Sequence, residues 1–282
     1  MFILLIIFLL ITLCIILVNV IPVCGGSKEI GEIAITNFQK QLFIQKLKDY
    51  TLVAAIVEPR EKNLVPIIRH YLQKLPDYTH FQIYHGQQNV ALLKREFVYE
   101  IDVGKISLWD MGVRNLTIQA YNYILTSPIF WKTMQSNNVL IFQTDTVMCP
   151  SGTDISQFFK YDYIGAPMNL YNIFVNCLSR FYAKGHFIAH TQFFNGGLSL
   201  RKRDTMIKLL KEHPWDGLTP EDVWFCAFLP NISGIVPDKE TARAFSYEDE
   251  RLQGVPWGVH KPNQKSYRLL EEICPDYKIA LN

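Results

Sequence analysis

The sequence has no long basic run, no Cys-x-x-Cys or His-Cys spacing, no internal repeat and no low-complexity tract. Without clustered Lys or Arg, and with a formal net charge of only +2, binding to nucleic acid by phosphate neutralisation has no support. The absent cysteine and histidine spacings leave no zinc motif. Of six cysteines, Cys14 and Cys24 lie near the start, leaving Cys149, Cys177, Cys226 and Cys274 in the rest of the chain. One or two disulfides and four buried free thiols fit that set equally well.

Charge is also missing from residues 1–21, and at about 1.5 Å per residue such a helix would cross a hydrocarbon core of roughly 30 Å. The uncharged stretch is longer than a signal peptide's apolar region and lacks a basic start, so the sequence predicts an uncleaved transmembrane signal anchor over 1–23. The nearest basic residues, Lys28, Lys40, Lys46 and Lys48, follow the span and would keep the domain cytosolic. Against them stand two N-glycosylation acceptors, Asn115-Leu-Thr117 and Asn231-Ile-Ser233, which mark a glycoprotein in the secretory lumen. The expectation is a single-pass membrane protein facing that lumen.

What is present is enough apolar residue, 49% of the 282, to build a sizeable core for one large domain. Helical spacing of Ile33, Phe38, Leu42 and Leu47 predicts a stem helix within 24–50. From residue 51 to 282 the pattern is that of an α/β domain. Residues 51–57 form an apolar run stopped by Glu58-Pro59, as in a strand buried on both faces of a parallel sheet. Further strands are predicted over 81–84, 105–108, 139–142, 163–166, 192–200 and 242–247. Helices are predicted over 64–75, 90–97, 115–125, 203–211 and 221–229. Strand and helix alternate through the first half, which implies a right-handed, Rossmann-type sheet flanked by helices. The aromatic-rich stretch 169–186 has no period and reads as a long loop able to cover a site.

Four short strings carry the chemistry. Val139-Leu-Ile-Phe-Gln-Thr-Asp145 is an apolar strand ending in a carboxylate, the place where open α/β sheets bind ligands. In Phe194-Asn-Gly-Gly-Leu-Ser-Leu200 the paired glycines, Gly196 and Gly197, weaken a strand, so a ligand or another backbone must come close there. Glu221-Asp222 opens a helix after Thr219-Pro220, with Thr219 or a neighbour as its cap. Gly258-Val-His-Lys261 supplies a late histidine. Each has a plain alternative: a turn-capping Asp145, a β-bulge, acids favoured by the helix dipole, an ordinary loop histidine.

In order and local sequence these strings resemble glycosyltransferases of the GT-A fold, and more closely a GT-A-like family of large DNA viruses and fungi, over residues 51–263. The resemblance implies transfer of a sugar from a nucleotide-diphosphate donor to a hydroxyl on a glycan or protein acceptor. It further implies a divalent cation, Mn2+ or Mg2+, held by Asp145 and His260. Where GT-A enzymes carry Asp-x-Asp, this chain has Gln143-Thr-Asp145, with one carboxylate only. Asn195, Gly196 and Gly197 would line the donor sugar, Lys261 would meet the diphosphate, and Glu58 and Arg60 would meet ribose and phosphate. Asp222, ahead of Glu221, would be the general base. An inactive nucleotide- or carbohydrate-binding relative and a metal-dependent nucleotidyltransferase stay open. For the transferase reading, Asp145, Asp222 and His260 should meet around one cleft.

Overall fold

A central strand of a parallel sheet has both faces covered, so it is apolar throughout. Leu52–Glu58 (β1) fits: all seven of its residues are buried. Because side chains alternate along a strand, Val53, Ala55 and Val57 enter one core while Leu52, Ala54 and Ile56 enter a second on the opposite face. A computed structural model describes residues 25–45, 47–168, 192–248 and 254–281 of the chain.

The remaining strands are β2 (Thr79–His85), β3 (Ile106–Asp110), β4 (Asn138–Ile141), β5 (Thr146–Met148), β6 (Tyr163–Pro167), β7 (Phe194–Lys202), β8 (Ser246–Tyr247) and β9 (Gly258–His260). Six of them form a sheet in the order β3-β2-β1-β4-β7-β6. Strands β3, β2, β1 and β4 are parallel, whereas β7 runs antiparallel to both β4 and β6. The chain therefore steps outward from β1 to β3, then returns to place β4 on the other side of β1. That reversal creates a crevice beyond the carboxyl ends of β1 and β4, where no crossover connection covers the sheet. A second, three-stranded sheet, β5-β9-β8, lies beside it.

Helix Gly25–Ile44 buries Ala34 and Phe38 completely. The Phe38 ring meets Tyr84, Trp109 and Phe130, a burial that stabilises by roughly 2–3 kcal/mol. Gln41 exchanges two backbone hydrogen bonds with Asp110, at 2.7 and 3.0 Å, tying the helix to the end of the edge strand β3. One face of this helix is thus packed on the domain, while Phe43 and Ile44 at its end are exposed.

The expected single-pass membrane location is corrected here. Among the described residues no helix is long and apolar enough to cross a membrane. Helix Gly25–Ile44 has the length, but Lys28, Glu29, Glu32 and Lys40 recur along it, and each charge would be costly in hydrocarbon. The uncharged span 1–23 and the loop 169–186 lie outside the described residues.

Residues 242–247, expected as a strand, are mostly helix. Asp238 accepts a hydrogen bond from the Thr241 amide at 2.7 Å and caps a helix Lys239–Phe245, leaving only β8 extended. Local capping outweighs the apolar alternation that had predicted a strand. A disulfide joins Cys149 to Cys274 across 125 positions, while Cys226 is a buried free thiol. The crosslink fastens the C-terminal helix Tyr267–Ile273 to the strand β5 that follows Asp145.

Candidate active site

At the carboxyl end of β1 the chain leaves the sheet through Glu58 and Arg60, which bind each other: Arg60 Nε and Nη2 donate to the Glu58 carboxylate at 2.7 and 2.8 Å. Asn89, itself fully buried, donates to the Glu58 and Arg60 carbonyls and fixes this exit. The Arg60 side chain stays largely exposed.

Beyond β4 a tight turn follows, in which Thr146 donates from its amide and hydroxyl to the Gln143 carbonyl at 3.2 and 2.7 Å. The turn presents Asp145 outward. Antiparallel pairing of β5 with β9 sets Thr146 opposite His260, and the Lys261 amide donates to the Asp145 carbonyl at 2.9 Å. By this register His260 Nε2 comes within 3.5 Å of Asp145 Oδ1, while Nδ1 lies 3.3 Å from a Glu248 oxygen. His260 is 1% exposed, and neither of its ring nitrogens nor Asp145 Oδ1 has a hydrogen-bond partner. Burial opposes charge on His260, yet attraction to Asp145 and Glu248 outweighs it and raises the pKa. Burial likewise disfavours the Asp145 carboxylate, but His260 and then Lys261 hold its pKa below the ordinary value.

The two glycines in β7 make room for side chains. A Cβ on Gly197 would fall 2.3 Å from His260 Nε2, and one on Gly196 would strike the Glu221 carboxylate and Arg201. The close approach that the sequence assigned to a ligand or backbone is made, at Gly196 and Gly197, by these side chains. Asn195 accepts from the Gly197 amide at 2.7 Å and shapes the same bend.

Helix Glu221–Phe228 brings the acidic pair to the cavity, with a cap other than Thr219. The Thr219 hydroxyl donates to Asp216, and Asn122 from helix Ile118–Leu125 accepts from the Glu221 amide instead. Glu221 is bound by both Nη atoms of Arg201, at 2.5 and 3.0 Å, with both side chains buried. Rings of Tyr163, Phe225 and Trp131 surround that guanidinium at 4.5–5.9 Å. Glu221 is thereby committed to holding the helix in place. Asp222 is the carboxylate left facing the cavity. It accepts from the Val223 and Gly196 amides at 2.8 and 3.2 Å. Burial, with the Glu221 charge next to it, pushes its pKa up to about 7.

A single cavity of about 530 Å³ at the switch point is lined by Glu58, Arg60, Gln143, Asp145, Asn195, Gly196, Gly197, Glu221, Asp222, His260 and Lys261. Asn115 lies on its rim, exposed, whereas Asn231, also exposed, sits in the turn Leu229–Ile232 away from it. Among the described residues no three His, Cys, Asp or Glu side chains cluster to hold a metal; Asp145 and His260 are the pair that faces one another.

Three residues escaped the sequence reading. Tyr121 lines the cavity and its buried hydroxyl has no hydrogen-bond partner. Arg201 could have been suspected, because alternation along β7 turns Leu198 and Leu200 to one core and leaves Arg201 facing the other. Glu248, behind His260, carried no signal.

In fold the protein is similar to a bifunctional glycosyltransferase, WbbM, solved in its apo form. The TM-score is 0.50 and the identity 10%, with 84% of this chain and 50% of that chain covered. The glycosyltransferase GlyE of Streptococcus pneumoniae TIGR4 gives a TM-score of 0.46 at 12% identity over 83% of this chain and 61% of that chain. The mannosyltransferase PcManGT of Pyrobaculum calidifontis, solved with GDP-Man and Mn2+, gives 0.43 at 13% over 74% and 67%. This chain spans about half the length of the first of these structures. At 10% identity the likeness is one of fold: a mixed sheet flanked by helices, as in that glycosyltransferase. No curated protein sequence matches this chain. The family model described as a protein of unknown function, DUF5672, matches residues 111–260, more than half of the 282, and the chain belongs to that family.

Proposed function

We propose that the protein is a GT-A-type glycosyltransferase that moves a sugar from a nucleoside-diphosphate donor to a hydroxyl acceptor on a glycan or protein. The observation that carries this is the convergence of Asp145, Asp222 and His260, from three distant stretches, on one cavity at the switch point of a glycosyltransferase-like sheet.

In this reading Arg60 and Lys261, the two cations lining the cavity, face the diphosphate, and Glu58 orients Arg60. Asn195, Gln143 and the bend at Gly196 and Gly197 bound the sugar. The acceptor oxygen attacks the anomeric carbon, its proton passes to the Asp222 carboxylate, and the bond from that carbon to the diphosphate oxygen breaks. A carboxyl with a pKa of about 7 is matched to this task, since it is a stronger base than an ordinary carboxylate yet substantially ionised at neutral pH.

A divalent cation suits the donor set. Asp145 Oδ1 and His260 Nε2 are buried, unpartnered and 3.5 Å apart, and an ion bound by both would satisfy groups otherwise costly to bury. One carboxylate and one imidazole favour Mn2+ over Ca2+, with Mg2+ as the alternative. When bound, the ion offsets charge on the departing diphosphate. A second reading, a nucleotide-binding relative without turnover, is favoured by Gln143 standing where the GT-A motif has a second carboxylate.

A thermal-shift panel of UDP- and GDP-sugars with Mn2+ separates these readings from none at all. Binding at 100 times Kd should stabilise by about 2.7 kcal/mol and raise the Tm for the true donor. If no nucleotide sugar moves the Tm with Mn2+ or Mg2+, both readings fail. With a nucleoside triphosphate and a sugar phosphate supplied in place of the nucleotide sugar, release of pyrophosphate would identify nucleotidyl transfer.

A further inference from the structure

The small sheet β5-β9-β8 places a carboxylate on each side of one imidazole. Asp145 precedes β5, whose first residue Thr146 pairs with His260. On the other edge β8 runs parallel to β9, with Ser246 beside Gly258 and Tyr247 beside Val259. One further step along that register sets Glu248 beside His260, and its carboxylate lies 3.3 Å from Nδ1. We infer that Glu248 is a positioning residue that holds the Nδ1 proton of His260, so that Nε2 is the ring nitrogen left to bind the proposed cation beside Asp145.

Three observations support this. First, His260 is buried, and a buried ring nitrogen without a partner costs about 1–3 kcal/mol. Glu248 is the acidic group closest to Nδ1, and it approaches from the side away from Asp145. Second, imidazoles that bind metal generally donate their other N–H to a carboxylate or carbonyl, which sets both tautomer and ring orientation. Third, no third His, Cys, Asp or Glu joins Asp145 and His260 as a ligand among the described residues, so Glu248 acts through the ring. It thus contributes, at one remove, the negative charge missing at Gln143. The assignment rests on the proposed cation site, and nothing in the donor reading requires it.

The test is a Mn2+ titration of the whole protein at saturating UDP or GDP, read as the Mn2+ concentration giving half the Tm shift. Glu248→Ala should raise that concentration by about 10–100-fold. Glu248→Gln, whose amide oxygen still accepts from Nδ1, should recover most of the loss. Asp145→Ala serves as the control that removes a direct ligand. A metal-free Tm lowered by Glu248→Ala, with the half-shift concentration unchanged, would mean a structural ion pair and overturn the inference. Glu248→Gln as weak as Asp145→Ala would make Glu248 a direct ligand and overturn it equally. No Mn2+-dependent shift in the wild type would instead remove the cation site itself, a failure distinct from the first two.

Discussion

Asp222→Asn is expected to lower kcat for sugar transfer by about 10²–10⁴-fold while leaving donor affinity nearly unchanged. Asparagine keeps the shape and still accepts one of the two amide hydrogen bonds from Val223 and Gly196, so the helix start survives. What it cannot do is take a proton. In the wild type the rate should climb as pH rises through about 7, because burial and the Glu221 charge raise the Asp222 pKa to that point and only the ionised form is a base. Stability should move the other way. A carboxyl whose folded pKa lies above its ordinary value binds its proton more tightly in the folded state. Its contribution is therefore full at acidic pH and is lost as pH rises from about 4 through 7. Asp222→Asn removes both effects, so rate and stability profiles flatten together. A rate profile unchanged by the substitution would take Asp222 out of the mechanism.

The second large effect is on folding. Glu221→Gln should destabilise the protein by about 3–5 kcal/mol, because it strips the buried Arg201 guanidinium of its bidentate partner. At about 2–4 °C per kcal/mol, the Tm would fall by roughly 6–20 °C. Replacing both partners, as Arg201→Met with Glu221→Leu, leaves no uncompensated charge and should recover part of that loss. Gly196 packs directly against the same pair, with no room for a Cβ. If Glu221→Gln melted with the wild type and lost only activity, Glu221 would instead be the group that meets the acceptor.

Legibility in the sequence followed the length of each signal. β1 and β4 are apolar runs that end in Glu58 and lead into Asp145, and both ends and three of the intervening helices can be read from pattern alone, while the short helices Val98–Asp102 and Pro128–Thr133 are missed. The three-residue strands β5 and β9 are too short to show a period, yet they set His260 against Asp145. The missed N-cap at Asp238 turned an expected strand into a helix. Arg201 and Glu248 matter only through partners 20 and 12 positions away that folding brings into contact. The glycine pair reads as a close approach by a ligand or another backbone; both glycines line the cavity, and the nearest atoms beside them are side chains of His260, Glu221 and Arg201. Cys149 and Cys274 could be paired only once the C-terminal helix had been placed beside β5.

The most direct measurement is a calorimetric titration of UDP and GDP, with and without Mn2+, into the wild type and Asp145→Ala. One nucleoside diphosphate should bind the wild type, at least tenfold more tightly with Mn2+, and Asp145→Ala should lose that Mn2+ dependence. Absence of nucleotide binding to the wild type, or equal Mn2+-dependent binding to Asp145→Ala, would contradict a donor site at the switch-point cavity.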